Sequence, residues 1–183
     1  ISVIIPTYNA EPFLKPLLKA IIAQKNIDDL EIIIIDSESK DNTKEIAKTF
    51  EAEFITINQK TFNHGLARNI GANKAKHDLL LFTVQDALPK NNKLFSEMAE
   101  LIQKDNKIAA VSTVQNPRPD ADLFARWQVN NHNELLDLKT NTINRIKNFS
   151  QFQKEPFLLK RRISLLDNVC SLYKKSIFIE QSS

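Results

Sequence analysis

Glycine is nearly absent: the 183-residue chain holds two, Gly65 and Gly71, with one cysteine, one methionine and one tryptophan. Neither G-x-G-x-x-G nor G-x-x-x-x-G-K-[ST] occurs, which argues against a dinucleotide-binding dehydrogenase and against a P-loop nucleotide hydrolase. A phosphate cradle built from backbone alone is not expected either, so a bound diphosphate needs a metal ion or basic side chains to neutralise it. The single Cys170 excludes a disulfide within the chain and reads as a small buried hydrophobe. Long apolar runs are missing as well. No window reaches the ~18 residues of a membrane span, and no basic start followed by an apolar stretch marks a signal peptide, so the chain reads as cytoplasmic. Charge of one sign is not in excess, with 25 Lys and Arg against 22 Asp and Glu and a net charge of +3. The lysines are scattered, which speaks against a nucleic-acid groove and leaves a small acidic substrate open.

What is present is an alternation. "ISVIIPT" gives a buried strand over Ile1–Ile5 that Pro6 is expected to close, and "LEIIIID" gives a second over Leu30–Ile35 that ends on Asp36. Between them Phe13, Leu14, Leu17, Leu18, Ile21 and Ile22 fall on one helical face, with Pro16 expected to kink the first turns. "SKDNTKEIAKTF" starts a further helix at Ser39, Asp41 and Asn42, with Glu45 placed for a capping box. "EFITI", "DLLLFTV" and "KIAAVSTV" read as strands, separated by helical patterns at "GLARNIGANKAK" and "NKLFSEMAELIQK". Strands that are apolar throughout and alternate with helices predict an α/β fold with a mostly parallel sheet covered on both faces. The pattern loosens after Val114 into a Pro-rich turn and long, weakly amphipathic helical sequence, before "DNVCSLYKKSIF" supplies one more strand running into a helix. The length suits one domain, divided into halves at 1–114 and 115–183. A start inside a strand-like run and an end just past an ordered-looking segment suggest a piece of a longer protein.

Ligands of open α/β sheets lie at the carboxyl ends of the strands, where Asp36 and Asp86 both fall. Asp86, preceded by Gln85, suits a hard divalent cation held by one or two carboxylates, several waters and substrate phosphates. As a helix cap it would sit several residues ahead of the helix expected near Asn91. Asp36 alone says little, since Asp is common after strands. His64 fits either a loop hydrogen bond or a substrate contact. Arg68, one turn on, fits either a phosphate or a surface salt bridge. His77 and His132 read as surface residues. Lys160–Arg162 reads as a solvated run that could also meet anionic lipid or a phosphate-bearing acceptor. Trp127 with Phe124 reads as packing, with a sugar-stacking platform as the alternative.

In order and at the usual spacings, "SVIIPTYNA", "EIIIIDSESKDNT", "ARNIGANKAKHDLLLF" and "QDALP" resemble the nucleotide-binding half of family-2 glycosyltransferases of the GT-A fold. "FNHG", "QDALP" and "NPRPDAD" resemble a subgroup described as rhamnosyltransferases. The resemblance implies transfer of a sugar from a nucleotide diphosphate donor, with inversion and with Mg²⁺ or Mn²⁺ on the diphosphate. The acceptor would be a saccharide or a lipid-linked saccharide in cell-surface polysaccharide synthesis, with peripheral membrane association in the lipid-linked case. It places Pro6, Thr7, Tyr8, Asn9 and Glu11 in the loop around the nucleotide, and Asp36 and Ser37 where the family usually has two acids near the base. Arg68 falls in the helix beside the nucleotide. Asp86 matches the metal-binding acid of the D-x-D type motif, whose earlier acid is replaced here by Val84. The family's general base lies in an acidic pair beyond the segment matching "DNVCS". Glu180 is a poor substitute, so the base is expected after Ser183, while Asp120 and Asp122 are expected to shape a pocket. Two alternatives stand beside the enzyme: a non-catalytic nucleotide-sugar-binding domain, and a nucleotidyltransferase, whose glycine-rich basic loop "PTYNAEPF" lacks.

Overall fold

In the computed structural model, which describes residues 1–138, 144–164 and 166–182, four apolar runs form neighbouring parallel strands. These are β1 (Ser2–Thr7), β2 (Glu31–Asp36), β3 (Glu53–Thr56) and β4 (Leu79–Thr83). Two further strands, β5 (Ala110–Ser112) and β6 (Cys170–Lys174), complete a sheet of order β3-β2-β1-β4-β6-β5, in which β6 runs antiparallel to both neighbours. The mostly parallel α/β expectation is met.

Alternate residues of each central strand feed two separate cores, which is why these strands are apolar along their whole length. Val3, Ile5, Ile32, Ile34 and Leu81 pack on one face with residues of α1 (Glu11–Ile22), α2 (Thr43–Thr49) and α4 (Leu94–Gln103). Ile4, Ile33, Ile35, Leu80 and Phe82 pack on the other with α3 (His64–Lys74) and with Phe178 of α8 (Lys175–Ser182). Gly71 has a packing reason. A Cβ there would overlap the Ile4 side chain, so the missing methyl lets α3 lie directly on β1.

Three local expectations are corrected. Pro6 does not end β1 but pairs in register with Ile35. The ladder to β4 stops at Ile4, and Thr7 O, an odd-numbered position, accepts Ser37 N on the β2 side; the Pro6 nitrogen therefore faces the side where no partner strand remains. Helix α1 runs through Pro16 without interruption in its span. The capping box at α2 does not form, since the Asn42 side chain makes no cap bond to its own helix. The two helix starts cap each other instead: Asp41 Oδ2 accepts Glu11 N at 2.9 Å, and the Glu11 carboxylate accepts Asn42 N at 3.1 Å and Asn42 Nδ2 at 2.7 Å.

At the opposite, amino-terminal edge of the sheet, His77 is not a free surface residue. Nε2 lies 3.0 Å from Asp29 Oδ2, and Nδ1 lies 3.0 Å from Ser2 Oγ and 3.3 Å from Glu31 Oε1. Burial pushes the Glu31 carboxyl up, but the Ser2 hydroxyl, the Lys76 N–H and the His77 and Lys76 charges outweigh it and hold it below its ordinary 4.5.

The contacts divide the chain into two units, Ile1–Ser112 with Asn168–Ser183, and Thr113–Asp167. Asn168–Ser183 falls in the first unit, where β6 pairs with β4 over five residues. The second unit contains α5 (Leu123–Leu135), α6 (Phe149–Lys154) and α7 (Phe157–Ser164), none of which has a buried residue. No helix among the described residues is long and apolar enough to cross a membrane.

Two outcomes follow. Gly71→Ala overpacks α3 against Ile4 and costs about 1–3 kcal/mol, read as a lower melting temperature with the fold retained. Because the folded Glu31 pKa is depressed, its stabilisation is complete above the unfolded value and is lost as pH falls through the lower folded value. Between about pH 6 and about pH 3, across the carboxylate range, the melting temperature falls less steeply for Glu31→Gln than for the parent chain.

Candidate functional site

The site is built where β1, β2 and β4 end. Asp36, the last residue of β2, is only 2% exposed, and a buried carboxylate must find donors. It accepts Thr7 Oγ1 at 2.9 Å from the end of β1, and Ser39 N at 2.9 Å and Ser39 Oγ at 2.5 Å from the loop that follows it. Asn9 continues the seam: its N–H donates to Ser39 Oγ at 2.8 Å, and its Oδ1 accepts Lys40 N at 2.9 Å. Thr43 Oγ1 accepts Ala10 N at 2.8 Å. From the end of β4, the Gln85 amide reads both backbone groups of Tyr8, with Oε1 accepting Tyr8 N at 2.8 Å and Nε2 donating to Tyr8 O at 3.2 Å. Three loops are thus fastened into one edge by side-chain-to-backbone bonds.

Two non-glycine residues in this edge take left-handed backbone conformations, Asn9 at φ 48° and Glu38 at φ 59°. Such conformations cost on the order of 1 kcal/mol each and gather at functional sites. Both are held by side-chain bonds, Asn9 to Lys40 N and Glu38 Oε2 to Gln59 N.

What the fastening leaves over is chemically informative. Ser37 is 3% exposed, yet its hydroxyl has no hydrogen-bond partner, and the same holds for buried Arg68 Nε. Arg68 rises from the second turn of α3, whose start is capped by Asn63 Oδ1 accepting Gly65 N and Leu66 N. Its Nη1 makes only a 3.4 Å bond to His64 O. Among the described residues no carboxylate pairs with it, so the surface salt bridge is not formed there. Burial lowers its pKa, opposed by the neighbouring Tyr173 hydroxyl, which itself donates to Asn168 Oδ1 at 2.9 Å. A half-buried guanidinium without an acid beside it is a place for an anion. His64 is exposed, with its ring edge-on to Phe62.

Asp86 lies in the turn after β4, exposed and without a hydrogen bond to any described residue, and it does not cap α4, which starts at Leu94. No group of three or more His, Cys, Asp or Glu among the described residues could enclose a metal ion. This donor set does not fit a closed protein cage. It does fit a hard cation completed by waters and phosphate oxygens, for which one carboxylate suffices.

Of the named residues, Thr7, Tyr8, Asn9, Asp36 and Gln85 meet in one bonded edge, which Pro6 enters as the penultimate residue of β1. Glu11 is already engaged with Asn42. Ser39 and Asp41, read from the sequence as helix-start signals, prove to be fasteners between loops. Tyr173 beside Arg68 carried no sequence signal, since only the return of β6 to the sheet brings it there.

In the second unit, Asp120 pairs with Arg118 at 3.1 Å and Asp122 caps α5 by accepting Ala125 N at 2.7 Å. Both carboxylates are bonded within the second unit. His132 is partly buried rather than a surface residue, 3.8 Å from Asp167. Phe124 and Trp127 are not packed inside but exposed, with their rings stacked at 6.1 Å. Glu180, on α8, is exposed.

Comparison with known proteins agrees with this architecture. The chain is 32% identical over 97% of its length to the O-antigen chain rhamnosyltransferase WbaN of Salmonella anatum, covering 53% of that protein. It is 31% identical over its whole length to RfbN of Salmonella typhimurium, an O-antigen chain rhamnosyltransferase of which it covers 54%. The chain therefore spans about half the length of these curated relatives. Among solved structures, the mannosyltransferase PcManGT of Pyrobaculum calidifontis, in complex with GDP-Man and Mn²⁺, superposes with a TM-score of 0.66 at 18% identity, over 98% of this chain and 46% of that one. TarS of S. aureus in complex with UDP gives 0.66 at 16% identity, over 98% and 48%. The fold is that of the GT-A glycosyltransferases. Residues 2–181 match the pattern of glycosyl transferase family 2, and the chain belongs to that family.

Proposed function

We propose that this chain forms the donor-binding part of an inverting glycosyltransferase. The donor is a nucleotide diphosphate sugar, with rhamnose or another deoxyhexose as the sugar. The acceptor is a saccharide or lipid-linked saccharide of a cell-surface polysaccharide, and the protein works peripherally at the inner membrane face in the cytoplasm. The observation that carries the reading is the pair of buried, unsatisfied polar groups in the first unit, Ser37 Oγ after β2 and Arg68 Nε on α3. A nucleotide supplies what both lack.

In this reading the Tyr8 ring, 44% exposed on a backbone clamped by Gln85, offers a face to the nucleotide. Asp36 acts by holding Thr7 and Ser39 in place, and Ser37 meets the base. Arg68 binds a phosphate oxygen, and His64, at the start of the same helix, faces the donor. Pro6 and Asn9 set the path of the loop, and Glu11 holds it against α2. Asp86 is the residue that would hold Mg²⁺ or Mn²⁺. A divalent cation there would neutralise charge on the leaving diphosphate. Relatives and structural neighbours support the donor class: those described above act as rhamnosyltransferases or were solved with GDP-Man or UDP. The catalytic base has no assignment among the described residues. Val84, where the family has a first acid, favours a nucleotide-sugar-binding module as the second reading.

Calorimetric titration of the chain with dTDP, UDP and GDP, each with and without Mn²⁺, tests the proposal. One nucleotide binds, requires the metal, and weakens about tenfold or more in Asp86→Ala and in Arg68→Ala, about 1.4 kcal/mol or more each. Glu11→Gln lowers the melting temperature, by about 1 kcal/mol of stability. Failure of every nucleotide to bind the full-length gene product would remove the donor-site reading.

A further inference from the structure

The second unit carries features that donor binding does not use. Helices have to place an apolar face against something, yet α6 and α7 bury none of their residues. Phe157 is 70% exposed, and Phe149 and Leu158 are exposed beside it in sequence order. Leu158 and Leu159, with Leu135, Pro156 and Arg162, line an open cavity of about 370 Å³.

Charge follows the same segment. Residues 144–164 contain six basic side chains, Arg145, Lys147, Lys154, Lys160, Arg161 and Arg162, against the single acid Glu155. On α7 each leading apolar residue has a basic one a turn later, Phe157 before Arg161 and Leu158 before Arg162. Arg162 donates to Leu135 O and Lys160 to Gln153 O. Arg145, Lys147, Lys154 and Arg161 pair with no carboxylate among the described residues. A protein partner with an apolar groove would account for the aromatics but not for the one-sided charge. An anionic bilayer surface accounts for both, because aromatic and aliphatic side chains enter the headgroup region while Lys and Arg remain at the phosphates.

We propose that α6 and α7 form a docking face for a membrane surface containing anionic phospholipid. The proposal rests on the reading of the protein as peripheral to a membrane and specifies the face and lipid class, independently of how the donor is bound.

The experiment is co-sedimentation of the full-length gene product with phosphatidylcholine vesicles, with and without phosphatidylglycerol, alongside nucleotide titration of each variant and light scattering without lipid. The protein sediments with phosphatidylglycerol vesicles and stays in solution with phosphatidylcholine alone. Binding falls about tenfold on passing from about 0.1 M to about 1 M salt, as the screening length shrinks. Phe157→Ser and the double variant Lys154→Ala with Arg161→Ala each weaken it about tenfold, with nucleotide affinity unchanged. No sedimentation of the full-length protein, or binding indifferent to these substitutions, overturns the inference. So does light scattering that shows a dimer dissolved by Phe157→Ser, which would give the face to a second copy. Nucleotide binding without vesicle binding removes the membrane face alone, and vesicle binding without nucleotide binding removes the donor reading alone.

Discussion

The buried carboxylate of Asp36 is the interaction on which the functional edge depends. A carboxylate that is 2% exposed cannot rely on water, and each charge-assisted bond to it is worth about 1.5–3 kcal/mol. Its donors come from two loops, Thr7 from one and Ser39 from the other, so satisfying Asp36 fixes the ends of β1 and β2 against each other. Once that seam exists, Asn9 can bond across it, and the starts of α1 and α2 come close enough for Glu11 and Asp41 to cap the opposite helix. Gln85 then joins the third strand end to the same loop.

The division of labour at this edge follows from which groups are occupied. Side chains bonded across the edge, Asp36, Asn9, Glu11 and Gln85, hold positions. Ser37 Oγ and Arg68 Nε are left without a partner among the described residues, and Asp86 is exposed. An edge held by its own side chains needs little rearrangement on binding, which keeps ordering costs low. The scarcity of glycine fits the same picture. With no glycine-rich loop to wrap phosphates, a bound diphosphate would need basic side chains or a metal ion instead, and one of the chain's two glycines serves helix packing.

The two units rest on different physics. The first is held by two apolar cores on either side of a sheet. The second has helices with no buried residue and leaves large aromatics in contact with solvent. The family pattern spans both units, while relatives continue for about as much chain again.

Apolar β-branched runs separated by helical periodicity were enough to read a parallel α/β sheet, and the short motifs around Pro6, Asp36, Arg68 and Asp86 were enough to read the glycosyltransferase family. Both signals are local, carried by neighbouring residues in the chain. The rest was decided by distant partners. Pro6 stays in its strand because the β4 ladder ends two residues earlier, Asn42 gives up its own helix to Glu11, and His77 finds acceptors on β1 and before β2. Asn168–Ser183 belongs with the sheet because β6 completes it, which is also what brings Tyr173 to Arg68. The sequence alone determined which residues form strands and which chemistry lies at their ends. Which of those groups are consumed in holding the edge and which are left unpaired was decided only by tertiary structure, because hydrogen-bond partners far apart in the chain meet only in the folded state.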